Sequence, residues 1–140
     1  MITQIDHIGV AVKDLEEVLK VYTDILGLEC TERETLDAQN IMVAKIQVGE
    51  ATIELVQAND EEGPIAKFIA KNGEGMHHIA YRVDDIDKML EEMKAKGAQL
   101  IDKEARGGAS GTRIAFLHPK GTRGVLMELV ERPKEQGMCD

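Results

Sequence analysis

The chain has no tryptophan and only four other aromatic residues: Tyr22, Phe68, Tyr81 and Phe116. A platform on which nucleic-acid bases stack is therefore not expected. Lys and Arg number 17 against 26 Asp and Glu, for a formal net charge of −9. Nonspecific binding to nucleic acid is disfavoured, because it needs basic side chains to neutralise phosphates. No apolar run approaches the roughly 18 residues of a membrane span. The opening Met1-Ile2-Thr3-Gln4-Ile5-Asp6 lacks the basic n-region of a signal peptide. Cys30 and Cys139 have neither metal-site nor disulfide spacing. They read as reduced thiols in a cytoplasmic protein.

What is present is said twice. Asp6-His7-Ile8-Gly9-Val10-Ala11-Val12-Lys13-Asp14 reads against His77-His78-Ile79-Ala80-Tyr81-Arg82-Val83-Asp84-Asp85, with His7 on His78 and Asp14 on Asp85 at an offset of 71. Ile53-Glu54-Leu55-Val56 reads against Met127-Glu128-Leu129-Val130 at an offset of 74. Each half thus offers one His near its start and one Glu near its end. Two imidazole nitrogens and two carboxylate oxygens suit a divalent transition metal with coordination positions left open. An open position on a metal is a place for chemistry.

At 140 residues the chain makes one compact domain, or two small repeats sharing a core. Ile5–Val12 alternates as a strand. Asp14 with Glu17 forms a capping box for a helix whose apolar stripe is Leu15, Val18, Leu19, Tyr22, Ile25 and Leu26, ended by Gly27. Strands over 28–35, 41–48 and 51–57 follow, then a helix from Pro64 to about Lys71. The second unit repeats the plan: a strand over 76–83, a helix over 85–96, and strands near 99–104, 112–117 and 124–130. The expected fold is α+β: two tandem βαβββ modules forming a cup-shaped mixed sheet around a metal site. It is one domain over 1–140, with module one at about 1–58, a linker helix at 59–73, module two at 74–132 and a frayed tail at 133–140.

Parity tests the ligand set. Ile8, Val10 and Val12 share one strand face, as do Ile79, Tyr81 and Val83. His7 and His78 lie on the opposite face, beside small Gly9, Ala11 and Ala80. Glu54 and Glu128 face away from Ile53 and Leu55, and from Val125, Met127 and Leu129. All four candidates project to the face away from the module helices, whereas His77 has the wrong parity for a ligand. A lone His or Glu in a strand is ordinarily structural or solvated; two matched pairs at nearly equal offsets change that balance. Asp6, His77 and His118 are candidates for orienting the imidazoles. Two Gly-rich loops, 107–111 and 119–124, match no dinucleotide or phosphate-loop fingerprint. Ser110, Arg113, Lys120 and Arg123 in and beside them are candidates for binding an anionic ligand, with Arg106 near by.

These residues resemble the vicinal oxygen chelate superfamily and, within it, the methylmalonyl-CoA epimerases. The resemblance covers most of Ile5 to Val130. Its most specific stretches are Ile65-Ala66-Lys67-Phe68-Ile69-Ala70-Lys71-Asn72-Gly73-Glu74-Gly75-Met76-His77-His78-Ile79-Ala80 and Ile114-Ala115-Phe116-Leu117-His118-Pro119-Lys120. The resemblance implies His7, Glu54, His78 and Glu128 as ligands of one divalent ion, Co²⁺ first and Mn²⁺, Ni²⁺ or Zn²⁺ as alternatives. It implies a CoA thioester substrate, a homodimer, and epimerisation of methylmalonyl-CoA at C2 by 1,1-proton transfer through a metal-stabilised enolate. Glu128 is then the stronger candidate base and Glu54 the weaker one for the opposite face. Some family members carry a Glu where Val43 stands here, so Lys45, which shares its parity, or bound water is a further candidate. The alternatives are a glyoxalase I-type lactoylglutathione lyase and a metal-free binding protein of the same fold.

Overall fold

The computed structural model describes residues 1–134. The expectations for Cys139 and for residues 135–140 of the tail lie outside the described residues. Eight strands and three α-helices appear among the described residues: β1 Ile2–Val12, α1 Leu15–Lys20, β2 Cys30–Leu36, β3 Ile41–Val48, β4 Ala51–Ala58, α2 Pro64–Asn72, β5 Gly75–Val83, α3 Ile86–Ala95, β6 Arg106–Gly107, β7 Arg113–Leu117 and β8 Met127–Glu131. The class is α+β, and each half runs strand, helix, then three strands. By internal contacts the chain divides into a first unit, Ile5–Ile79, and a second unit made of Met1–Gln4 with the chain from Ala80 onward.

In the first unit the strand order is β2-β3-β4-β1. β1 runs parallel to β4, setting Gly9 beside Glu54, and β3 runs antiparallel to β4, setting Lys45 opposite Glu54. Alternation gives this sheet two apolar faces. Val12, Ala44, Ile46 and Leu55 pack under Leu15 and Leu19 of α1. Ala11, Val43 and Val56 pack under Ile65 of α2, with Phe68 and Ile69 alongside. Each fully buried aliphatic side chain contributes about 1.5–3 kcal/mol. α2 therefore covers one end of the second face and leaves the rest, beneath His7, Gly9 and Glu54, uncovered by a helix of this unit.

In the second unit the order is β5-β8-β7-β6, with β5 contributing its last residues. Val83, Ala115, Leu117 and Leu129 pack under Ile86 and Leu90 of α3. Ala80, Ile114 and Val130 form a cluster on the other face.

Both module helices begin alike. Asp14 Oδ1 accepts from Glu17 N at 3.2 Å, and Asp85 Oδ1 accepts from Lys88 N at 3.1 Å. A second cap comes from the last strand of each half. Gln57 Oε1 accepts from Leu15 N at 2.7 Å, and Glu131 Oε1 accepts from Ile86 N at 2.9 Å. Two of the four N–H groups orphaned at each helix start are thus satisfied, one of them from 42 residues away in α1 and 45 in α3.

Three expectations need correction. The strand expected near 99–104 is a single bridge, Leu100 to Leu117, followed by two-residue β6. Asp102 explains the loss: its carboxylate accepts from Phe116 N at 2.8 Å and pairs with Arg106 at 3.0 Å, while the N–H groups of Ile101 and Asp102 both reach Phe116 O. A side chain replaces the ladder. β8 starts at Met127 rather than 124, because Arg123 at φ 62 and Gly124 at φ 98 turn the chain, and Val125 is exposed. Finally, α1 passes into a π-helical turn at Val21–Ile25. The wider turn rotates the stripe, so Ile25 and Leu26 point to solvent at 76% and 58% exposure.

Candidate metal centre

The first unit brings two of the expected ligands, His7 and His78, to one place and sets a third, Glu54, against the far edge of His7. His7 sits in β1, Glu54 beside it in β4, and His78 in β5. The Nε2 atoms of His7 and His78 face each other at 3.1 Å, and the rings meet edge to face. His7 is 6% exposed. Its Nδ1 donates to Asp6 Oδ1 at 2.8 Å, and Asp6 is fully buried. A carboxylate on Nδ1 fixes the tautomer and makes Nε2 the acceptor nitrogen. His78 Nδ1 meets His77 Nδ1 at 2.9 Å.

This donor arrangement fits a divalent ion. Asp6 makes His7 Nε2 an acceptor, so at 3.1 Å it meets either an N–H of His78 Nε2 or, when His78 carries its proton on Nδ1, a cation held between the two nitrogens. Two imidazole nitrogens that bind one ion at about 2.0–2.1 Å stand about 3 Å apart when they meet it at a right angle. The observed separation matches that spacing.

The seat of His78 is Gly9. Its backbone is extended, yet any side chain there would collide: an added Cβ would lie 2.5 Å from His78 Nδ1 and 2.9 Å from Nε2. The imidazole occupies the space a Cβ would fill. This explains why the strand carries glycine two residues after His7.

Glu54 lies on the other edge of His7. Its Oε2 is 3.5 Å from Nδ1, beside Asp6, with the side chain 15% exposed. Lys45, across the strand pair from Glu54, has its ammonium 3.2 Å from Glu34 and 3.7 Å from Glu32. Val43, one step along the same face, is buried under α2.

Glu128 belongs to the second unit. It is 5% exposed in β8, and alternation sets it on the face of Val130, away from α3, in register with Phe116. Its parity is therefore as expected.

The loop residues are less alike than their sequence suggests. Ser110 is exposed at φ 58 in a short turn. Lys120 and Arg123 are exposed around the turn at Pro119–Thr122, where His118 Nδ1 accepts from Lys120 N at 3.1 Å. His118 is thus engaged as a turn cap. Arg113 is committed to α3: it is bidentate to Asp87 at 2.7 and 2.8 Å. The Arg113 hydrogen bonds hold the Asp87 carboxyl below the ordinary carboxylate range. Arg106 pairs with Asp102 and lies over the Phe116 ring. The roles of Asp6 and His77 were legible as possibilities, whereas Gly9 as a seat was missed; its only signal was a small residue beside a His.

Comparison with known proteins gives the family. Residues 6–116 match the glyoxalase/bleomycin resistance protein/dioxygenase superfamily. Human mitochondrial methylmalonyl-CoA epimerase is 36% identical, over 90% of this chain and 72% of the human one. The crystal structure of methylmalonyl-CoA epimerase from Mycobacterium tuberculosis is 40% identical, with a TM-score of 0.89 over 95% of this chain and 90% of that one. A methylmalonyl-CoA epimerase solved with methylmalonyl-CoA and NH4⁺ is 36% identical, with a TM-score of 0.88 over 94% and 96%. The chain belongs to the glyoxalase/bleomycin resistance protein/dioxygenase superfamily and, within it, to the methylmalonyl-CoA epimerase family.

Proposed function

We propose that the protein epimerises methylmalonyl-CoA at C2, with a divalent ion held by His7, Glu54, His78 and Glu128. The observation that carries this reading is the facing pair of imidazoles at 3.1 Å, each with its other nitrogen engaged. Glu54 joins the set by turning its flexible side chain from the Nδ1 edge of His7 toward the Nε2 edge. Glu128 completes it as the repeat's counterpart of Glu54. Co²⁺ is the first choice of ion, with Mn²⁺, Ni²⁺ or Zn²⁺ also compatible with two nitrogens and two oxygens. When bound, the ion supplies Lewis-acid stabilisation for charge developing on the thioester oxygen.

The remaining steps belong to the chain. The C2–H bond lies between a thioester and a carboxylate, so its electron pair delocalises when the proton leaves. Glu128 takes that proton as a general base. Return of a proton to the opposite face inverts C2. Glu54, the repeat's matching carboxyl, delivers it when it enters protonated, and solvent then reprotonates Glu54 and takes the proton from Glu128. A water replaces it as donor where Glu54 is absent, while Lys45 in the same row is paired with Glu32 and Glu34. Asp6 keeps His7 in the ligating tautomer throughout. Lys120, Arg123 and the Ser110 turn meet the CoA moiety, and the exposed cations suit its phosphates. Arg113 contributes indirectly, by tying β7 to α3. The reading places the protein in the cytoplasm as a homodimer. Among the described residues no helix is long and apolar enough to cross a membrane.

The test is deuterium exchange at C2 of methylmalonyl-CoA, with and without a chelator, alongside a hemithioacetal substrate. Exchange with inversion, abolished by chelator and restored by Co²⁺, is expected. Turnover of the hemithioacetal in preference would move the assignment to a glyoxalase. Absence of both activities with no metal uptake would leave a binding protein.

A further inference from the structure

We propose that His77 is a positioning residue for His78, braced by Phe68 of α2, and that it governs how tightly the first unit holds a divalent ion. The inference rests on the metal-binding reading above. Consecutive strand residues point to opposite faces, so alternation by itself sets His77 off the ligand face. It nevertheless reaches the ligand: its Nδ1 lies 2.9 Å from His78 Nδ1, and the rings are perpendicular with centroids 5.1 Å apart. On its far side His77 meets Phe68 edge to face, with centroids 4.9 Å apart at 87°.

The protons follow from the inventory. An imidazole that ligates through Nε2 carries its proton on Nδ1. His78 Nδ1 then donates, and His77 Nδ1 accepts, which leaves the His77 proton on Nε2. His78 is thereby held on two sides: Gly9 allows its ring to lie against the β1 backbone, and His77 fixes its rotation. The brace is anchored, because α2 packs on the sheet through Ile65 over Ala11, Val43 and Val56. The position of a linker helix is thus transmitted to a ligating nitrogen through one ring contact and one hydrogen bond. Groups that orient ligating imidazoles in this way typically alter metal affinity by about 10–100-fold.

The experiment measures Co²⁺ and Zn²⁺ affinity by competition with a chelator, together with the visible absorption of the Co²⁺-loaded chain. Three variants are compared with the parent. His77→Leu removes the acceptor at similar volume; about 10–100-fold weaker binding and an altered Co²⁺ spectrum are expected. His77→Asn keeps a polar atom at the Nδ1 position and should recover most of the affinity and the parent spectrum. A merely structural role would shift the melting temperature but would not be rescued in spectrum by Asn. Phe68→Leu leaves every polar atom in place and should weaken binding severalfold; it decides the matter if His77→Leu fails to fold. Parent-like affinity in folded His77→Leu, or in Phe68→Leu, overturns the inference alone. A parent chain that takes up neither ion overturns the metal reading and this inference with it.

Discussion

Replacing Gly9 by alanine tests the site with the smallest possible change. Gly9 has an extended backbone that alanine adopts freely, so no strain arises from conformation. The only obstacle is His78: the new Cβ would lie 2.5 Å from Nδ1 and 2.9 Å from Nε2, with Cε1 nearer still. Ordinary carbon contacts begin at about 3.5 Å, so the ring must retreat by about 1 Å. Metal–ligand distances tolerate only about 0.2 Å. The displacement therefore breaks the match between the Nε2 atoms, now 3.1 Å apart. It also disturbs the 2.9 Å contact with His77. Loss of an orienting group alone costs about 10–100-fold in affinity, and loss of a ligand should cost at least the upper end of that range. Chelator competition with Zn²⁺ reads the affinity, and C2 exchange of methylmalonyl-CoA should fall in parallel. Gly9→Ala with metal affinity within about threefold of the parent would refute the argument that Gly9 seats a ligating His78.

Glu128→Gln keeps a ligand oxygen but cannot accept a proton at neutral pH; retained metal and about 10²–10⁴-fold lower epimerisation are expected. Glu54→Gln should be milder, and equal damage at equal metal occupancy would make Glu54 a full partner base. Gln57→Leu strands the Leu15 N–H in a part-buried position and should lower stability by about 1–3 kcal/mol in urea unfolding, without changing metal content. Lys120 and Arg123 replaced together by Ala should raise KM for the CoA ester more than they lower kcat, and an unchanged KM would remove both from the binding surface. The Arg113 hydrogen bonds lower the Asp87 pKa, with its charge reinforcing them. The stability they add is present above the unfolded carboxylate value of about 3.9 and is lost as pH falls from there through the folded value. Acid unfolding of Arg113→Ala should therefore show a weaker dependence on pH in that interval.

The repeat, the parity of the ligands and most element boundaries were legible because they are local. Alternation with a period of two shows that His7 shares a face with Gly9 and Ala11, and Glu54 with Val56, whatever the sheet later packs against. The same logic excluded His77 as a ligand. It failed at 99–104, where the Asp102 carboxylate outcompetes the ladder for Phe116 N, and at Ile25 and Leu26, where a π turn breaks the helical period. Only the tertiary structure decided what lies against what. Gly9 and His78 are 69 positions apart in the chain, Arg113 and Asp87 26, and Leu15 and Gln57 42. Nothing in a local pattern ranks the partners available to an imidazole, a guanidinium or an orphan N–H. That choice is made by the packing of α1, α2 and α3 on their sheets, which fixes the few positions where a donor and an acceptor, or a ring and a bare Cα, can meet.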